Sequence, residues 1–325
     1  MAKSQLFVSQ REFEGELNKT GIPRQEAKKF AEHVFYSLTY HDKTKLISRN
    51  DSELILNSVK KSSLEVVRTI IRHSLQIITD SPSMRQYKRT YEDDASANKA
   101  NMRFVLKNFA ETLGKISGKT IGKFRFALGQ SVEDGNMLAI NLIEGTEKFP
   151  IARLNLGFRF TKNGKPVLVI GNFQGSINRK EIEEFSKTLT KLGLRKKATS
   201  AFRFMAETLV SAASDNIKVE ARNPRTLPYM TPSENVVMNR LVENKKLLKG
   251  MPKNKKSIGK IRLVDPKKRT PEENSIIARE KQRIATAGFR MHRAVFDQLG
   301  FRYKTGRRGK KKSGILTLKR KPKHH

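Results

Sequence analysis

Residues 152–170 read ARLNLGFRFTKNGKPVLVI. Leu154, Leu156, Phe158 and Phe160 alternate with Asn155, Gly157 and Arg159, the period of two that a strand with one buried face requires. The turn that follows contains Asn163-Gly164, a dipeptide suited to tight hairpins because both residues tolerate positive φ. Val167 to Ile170 is then a continuous apolar run, as in a strand enclosed on both faces. The stretch therefore predicts a hairpin inside a sheet.

Upstream, Phe124, Phe126 and Leu128 alternate, and residues 137–143 follow a turn at Asp134-Gly135-Asn136. These complete an antiparallel meander of four strands. Downstream the period returns to that of a helix over residues 177–192, closed by Gly193, and over 199–213, where Phe202, Met205, Ala206, Leu209 and Val210 share one face. Residues 217–221 predict a further strand. Near the end, Met291, Val295 and Leu299 recur every four positions along a helix that Gly300 terminates. Strands over 301–303 and 315–318 flank a Gly- and Lys-rich turn. Before residue 118 the chain reads as helical, over 11–18, 24–38, 63–78 and 104–113, with a loop at 85–99 that holds Glu92-Asp93-Asp94. A helix at 234–248 and a strand at 258–264 sit in a segment that resembles neither neighbour and reads as an insertion. The expected class is α+β: an N-terminal helical region over 1–118, then a mixed, mostly antiparallel sheet flanked by helices over 119–325, interrupted by a basic insertion at about 225–275.

Charge is the dominant compositional feature. The 325 residues carry 67 Lys and Arg against 31 Asp and Glu, a net charge of +36. From Arg240 onward the count is 28 against 6, so most of the excess lies in the last quarter. Such an excess calls for a polyanion: nucleic acid, RNA or DNA without base specificity, or an anionic membrane surface. The residues expected to make that contact are Lys253, Lys255, Lys256, Lys267, Lys268, Arg269, Arg307, Arg308, Lys310, Lys311 and Lys312. Cysteine is absent, which excludes disulfides, thiolate metal sites and a Cys nucleophile. No opening apolar run of signal-peptide type and no stretch near ~20 apolar residues occurs, and a cytoplasmic location is expected, peripheral to the inner membrane or associated with nucleic acid. The six histidines show no ligand spacing, so no metal is expected.

A meander, a helix with a basic approach at Arg195-Lys196-Lys197-Ala198-Thr199, a strand ending at Asn223, and a last helix and strand pair containing Phe296-Asp297-Gln298-Leu299-Gly300-Phe301 resemble the GNAT acyltransferase fold. In that family a strand splays from its neighbour to admit the pantetheine of acyl-coenzyme A, and a helix N-terminus receives the pyrophosphate, where unpaired N–H donors and the positive dipole end concentrate. The resemblance implies that Ile170, Gly171 and Asn172 line the cofactor slot. It also implies that Arg195, Lys196, Lys197 and Thr199 hold phosphates, while Asn223 and Tyr303 serve the chemistry. It departs from the family in lacking the glycine-rich phosphate loop, and in placing Phe296 where many members have a Tyr.

A second resemblance covers residues 153–223, through the strand–turn–strand ending Ile170-Gly171-Asn172-Phe173-Gln174-Gly175, the linker Gly193-Leu194-Arg195-Lys196-Lys197, a long helix and the strand ending in Asn223. This run is similar to the core of the VirK/YbjX family of bacterial virulence-associated proteins, linked to envelope integrity. Members carry a histidine shortly after that Asn, and Leu227 to Tyr229 offer none. Three functions are therefore expected in turn: N-acyl transfer from acyl-coenzyme A on or near a polyanion, nucleic-acid binding without catalysis, and docking on an anionic membrane.

Overall fold

The aromatic residues of the meander find their cover in helices that lie on both sides of it in sequence. The computed structural model describes residues 6–39, 44–72, 95–131, 137–147, 149–161, 163–175, 179–194, 201–222, 237, 270–303 and 315–318. The chain forms two compact units, Met1–Ala221 and Arg222–His325. The mixed α+β class and the mostly antiparallel sheet are as the sequence predicts.

In the first unit, strand β1 (Phe7–Val8) pairs with β2 (Ile47–Ser48) and frames a helical layer. Helix α1 (Gln10–Lys19) starts at a capping box: Ser9 Oγ accepts from the Glu12 N–H at 3.3 Å, and Glu12 Oε2 accepts from the Ser9 N–H at 2.8 Å. It buries Phe13 and Leu17, four residues apart, against α2 (Arg24–Thr39), whose Phe30 and Phe35 contact the Phe13 ring. Helix α3 (Arg49–Lys61) follows β2 directly, and α4 (Leu64–Arg72) buries Val66, Val67, Ile70 and Ile71. Helix α5 (Ala95–Gly114) spans twice the length that its apolar pattern predicts. Residues 73–94, including the rest of the helix expected to Ile78 and the acidic triplet, lie outside the described residues.

The sheet of this unit runs β3 (Thr120–Ile121), β4 (Phe124–Ser131), β5 (Met137–Glu144), β6 (Ala152–Phe160), β7 (Pro166–Gly175) and β8 (Lys218–Arg222), adjacent in that order among the described residues. Neighbours from β3 to β7 are antiparallel, whereas β7 and β8 are parallel. The parallel step needs a crossover, supplied by α6 (Arg179–Lys191) and α7 (Ala201–Ala212). The β6–β7 connection, between the Phe160–Pro166 pair, is longer than the two-residue Asn-Gly turn: Gly164 takes φ +70° and its N–H donates to Thr161 O at 3.0 Å.

Alternation separates the two faces of the sheet. One is apolar and lies beneath α5, α6 and α7. Phe185 of α6 meets Phe124 at 5.1 Å, Phe204 of α7 stacks on Phe126 at 6.3 Å, and Phe109 of α5 meets Phe158 at 4.9 Å. The other carries Arg125, Asn141, Arg153, Asn155, Arg159, Lys218 and Glu220.

The second unit is described over one long helix and a hairpin. Helix α8 (Pro271–Gln298) opens with proline at its first position, where the missing N–H costs nothing. It ends at Gly300, φ +84°, whose N–H donates to Asp297 O at 3.0 Å. Strands β9 (Phe301–Tyr303) and β10 (Ile315–Leu318) pair antiparallel. Phe296 is fully buried and edge-on to Phe301 at 5.5 Å, which gives the phenylalanine a core role. Of the expected insertion before residue 270, only Val237 is described, and it is buried.

Candidate functional site

β7 changes character in mid-strand. From Val167 to Ile170 it pairs with both neighbours: Ile170 faces Leu156 on β6 and Ala221 on β8. On the next turn of the ladder Leu154 pairs with Phe173, so Asn155 alone stands opposite Gly171 and Asn172. Two residues against one is a β-bulge on β7. Among the described residues the register with β8 runs to Ile170–Ala221, and that with β6 continues to Gly175. The bulge lies next to Ile170, at the residues the sequence assigns to a cofactor slot.

Local packing explains why this position takes glycine. A Cβ on Gly171 would lie 3.0 Å from Asn155 O and 3.2 Å from Asn155 Cβ, closer than a side chain tolerates without displacement. Asn155 is fully buried. Past the bulge, Phe173 stacks on Phe202 of α7 at 4.9 Å with an interplanar angle of 24°. That contact sets the first turn of α7 against the part of β7 beyond the bulge.

Beside the slot lies a buried ion cluster. Arg159 of β6 reaches across β7 to Glu220 of β8, its Nε donating to Oε2 at 2.8 Å and its Nη2 making a second, shorter contact. The side chains are 7% and 1% exposed. Lys218 Nζ approaches the other carboxylate oxygen at 2.8 Å. Glu220 neighbours Ala221, the last residue registered with β7, so the cluster fixes the parallel pair where it ends.

Among the sequence-expected site residues, Ile170 and Gly171 are buried in β7, and Asn172 follows them in the bulge. Tyr303 is the last residue of β9, paired with Leu316. Arg195, Lys196, Lys197, Thr199, Asn223 and all eleven expected polyanion contacts, Lys253 through Lys312, lie outside the described residues. Among the described residues no group of three or more His, Asp or Glu is placed to hold a metal ion, and no helix is long and apolar enough to cross a membrane.

Two further features escape a reading of the sequence. A cavity of about 620 Å³ opens at the β3 edge of the sheet, lined by Lys119, Ile121, Leu192, Leu194, Phe204 and Thr208 among others. It includes none of Ile170, Gly171 and Asn172, and three strands, β4 to β6, separate the β3 edge from β7. The second is on α8, where Arg279, Arg283 and Arg290 are exposed and Arg293 is partly exposed. At about 100° per residue these four fall within an arc of about 80°. They are scattered singly in the sequence, so only a helix drawn through them brings them together. A comparison with family models finds no match for the chain, and neither do comparisons with curated proteins or with solved structures.

Proposed function

We propose that this chain is a GNAT-like protein that binds an acyl-coenzyme A at the end of the β7–β8 pair and transfers the acyl group to an amine on or near a polyanionic partner. The supporting observation is the bulge at Gly171 and Asn172, beside the last described pair of β7 with β8. A bulge interrupts the ladder and leaves backbone donors and acceptors for an extended ligand, the chemistry needed to grip the amides of pantetheine. In this reading Ile170, Gly171 and Asn172 line the slot, and Arg195, Lys196, Lys197 and Thr199, just ahead of α7, take the phosphates. Acyl transfer then consists of amine attack on the thioester carbon, C–N bond formation, C–S cleavage and loss of one proton from nitrogen. It demands mostly orientation, which a rigid sheet supplies.

Thermal unfolding in the presence of acetyl-coenzyme A tests the reading. Ligand at about 100 times its dissociation constant stabilises the native state by about 2.7 kcal/mol, an upward shift of several degrees. An unmoved midpoint at millimolar acetyl-coenzyme A would sink it. A second reading, nucleic-acid binding without catalysis, gains support from the arginines of α8. The resemblance to VirK/YbjX proteins favours an envelope-side role and is weighed by the lipid arm of the experiment below.

A further inference from the structure

We infer that the exposed face of α8 docks on the phosphodiester backbone of nucleic acid through Arg279, Arg283, Arg290 and Arg293. This rests on the nucleic-acid reading and is independent of acyl transfer. The helix buries Ile277, Glu280, His292, Val295 and Phe296, which fixes the opposite side outward. The α-carbons of the four arginines lie around the middle of that outward side, with the side chains of Arg279, Arg283 and Arg290 exposed and that of Arg293 27% exposed. At 1.5 Å rise per residue they extend over about 21 Å, in steps of about 6, 10.5 and 4.5 Å, long enough to meet several phosphates of one strand.

Two of the arginines are held in place by carboxylates of the same helix. Arg283 donates to both oxygens of the buried Glu280, at 2.7 and 2.8 Å, and Arg293 donates to Asp297 at 2.6 Å. Arg279 and Arg290 are exposed. A guanidinium suits phosphate because its fork of N–H donors meets two oxygens at once.

The residues around the stripe separate nucleic acid from membrane. A helix that lies in a bilayer surface flanks its cations with Trp, Phe or Leu that enter the lipid. Among the described side chains of α8 the other exposed ones include Asn274, Ser275, Gln282 and Gln298 beside Ala278, Ala287 and Ala294, and Met291 is the one large apolar side chain exposed. A polar, shallow face of this kind gives a lipid little to bury, and gives a phosphate chain room to approach.

The test uses the full chain, its Arg279→Ala/Arg290→Ala and Arg279→Lys/Arg290→Lys variants, a random-sequence DNA duplex and a single-stranded RNA. Fluorescence anisotropy is read across a salt series. Each lost phosphate contact removes about 0.9 from the slope of log affinity against log salt, so the alanine variant flattens the slope by about 2 and binds on the order of 50-fold more weakly at ~0.1 M salt. The lysine variant keeps most of the slope. Both variants keep the wild-type circular dichroism, since alanine and lysine favour helix and the altered side chains are exposed. Full-length binding unchanged in the alanine variant overturns the assignment to α8 and leaves the nucleic-acid reading standing on other residues. No salt-dependent binding by the full chain overturns both. Flotation with phosphatidylserine vesicles that is lost in the alanine variant, without competition from nucleic acid, reassigns the face to lipid and also overturns the inference.

Discussion

Two buried carboxylates carry much of the specific electrostatics of the first unit. Asp51 accepts from Ser48 and, at 2.5 and 2.8 Å, from Arg103, fifty-two residues away. Burial pushes the Asp51 carboxyl up, and the Arg103 and Ser48 hydrogen bonds outweigh it, so the group titrates below the usual carboxylate range. Its contribution is therefore complete above the unfolded value of about 3.9 and is lost as pH falls through the lower, folded value. Because Arg103 is half exposed, Asp51→Asn should cost about 1–2 kcal/mol at neutral pH, after discount for solvent screening. In urea unfolding, the gap between wild type and variant should close on acidification; a gap constant from pH 7 to about 3 would show that the pair is not the source. Glu220 is the more severe case. Both side chains are nearly buried, so Glu220→Gln removes the negative charge that faces the Arg159 guanidinium and should cost on the order of 3–5 kcal/mol, whereas Arg159→Met with Glu220→Leu should recover most of that. A Glu220→Gln cost below about 1 kcal/mol would mean that the cluster is solvated in solution.

Elements whose buried face is apolar were legible, and those with a polar one were not. The four meander strands, the helices at α1, α2, α6 and α7, and the closing hairpin follow from Phe, Leu, Ile and Val at periods of two or about 3.6. Helix α3 gives no such signal, because its buried positions are Asp51, Ser52, Ile55 and Ser58. The hydroxyl of Ser58 bonds back to Leu54 O at 2.7 Å and Asp51 is neutralised by Arg103, two contacts a periodicity count cannot register. The bulge at Gly171 and Asn172 could not be read from the sequence: register depends on the partner strand, and Asn155 opposite Gly171 looks like any polar position of an alternating strand. The arginines of α8 were hidden for a related reason. Runs such as Lys310 to Lys312 stand out in a charge count, whereas a stripe on a helix exists only in three dimensions.

For the molecule as a whole, the sequence conveys the mixed α+β class and the charge directly. The packing that joins the helices before Thr120 to the sheet after it is less visible: Phe109 of α5 meets Phe158 of β6 within the unit Met1–Ala221. Ring contacts between a helix and a sheet are long-range facts with no signature in either segment alone.

The parallel pairing of β7 with β8 also sets an order of events in time. The β6–β7 hairpin closes a turn of about five residues, whereas Val167 and Lys218 meet across about fifty, which adds roughly 2 kcal/mol of closure entropy. The meander can therefore assemble early and β8 must join late, after α6 and α7 have folded onto the apolar face. Pulse-labelled hydrogen exchange should accordingly show amides of β4 to β6 protected before those of Lys218 to Ala221, and simultaneous protection would contradict this order. The end of the β7–β8 pair, which the proposed acyl-coenzyme A site needs, therefore exists only after the meander has formed.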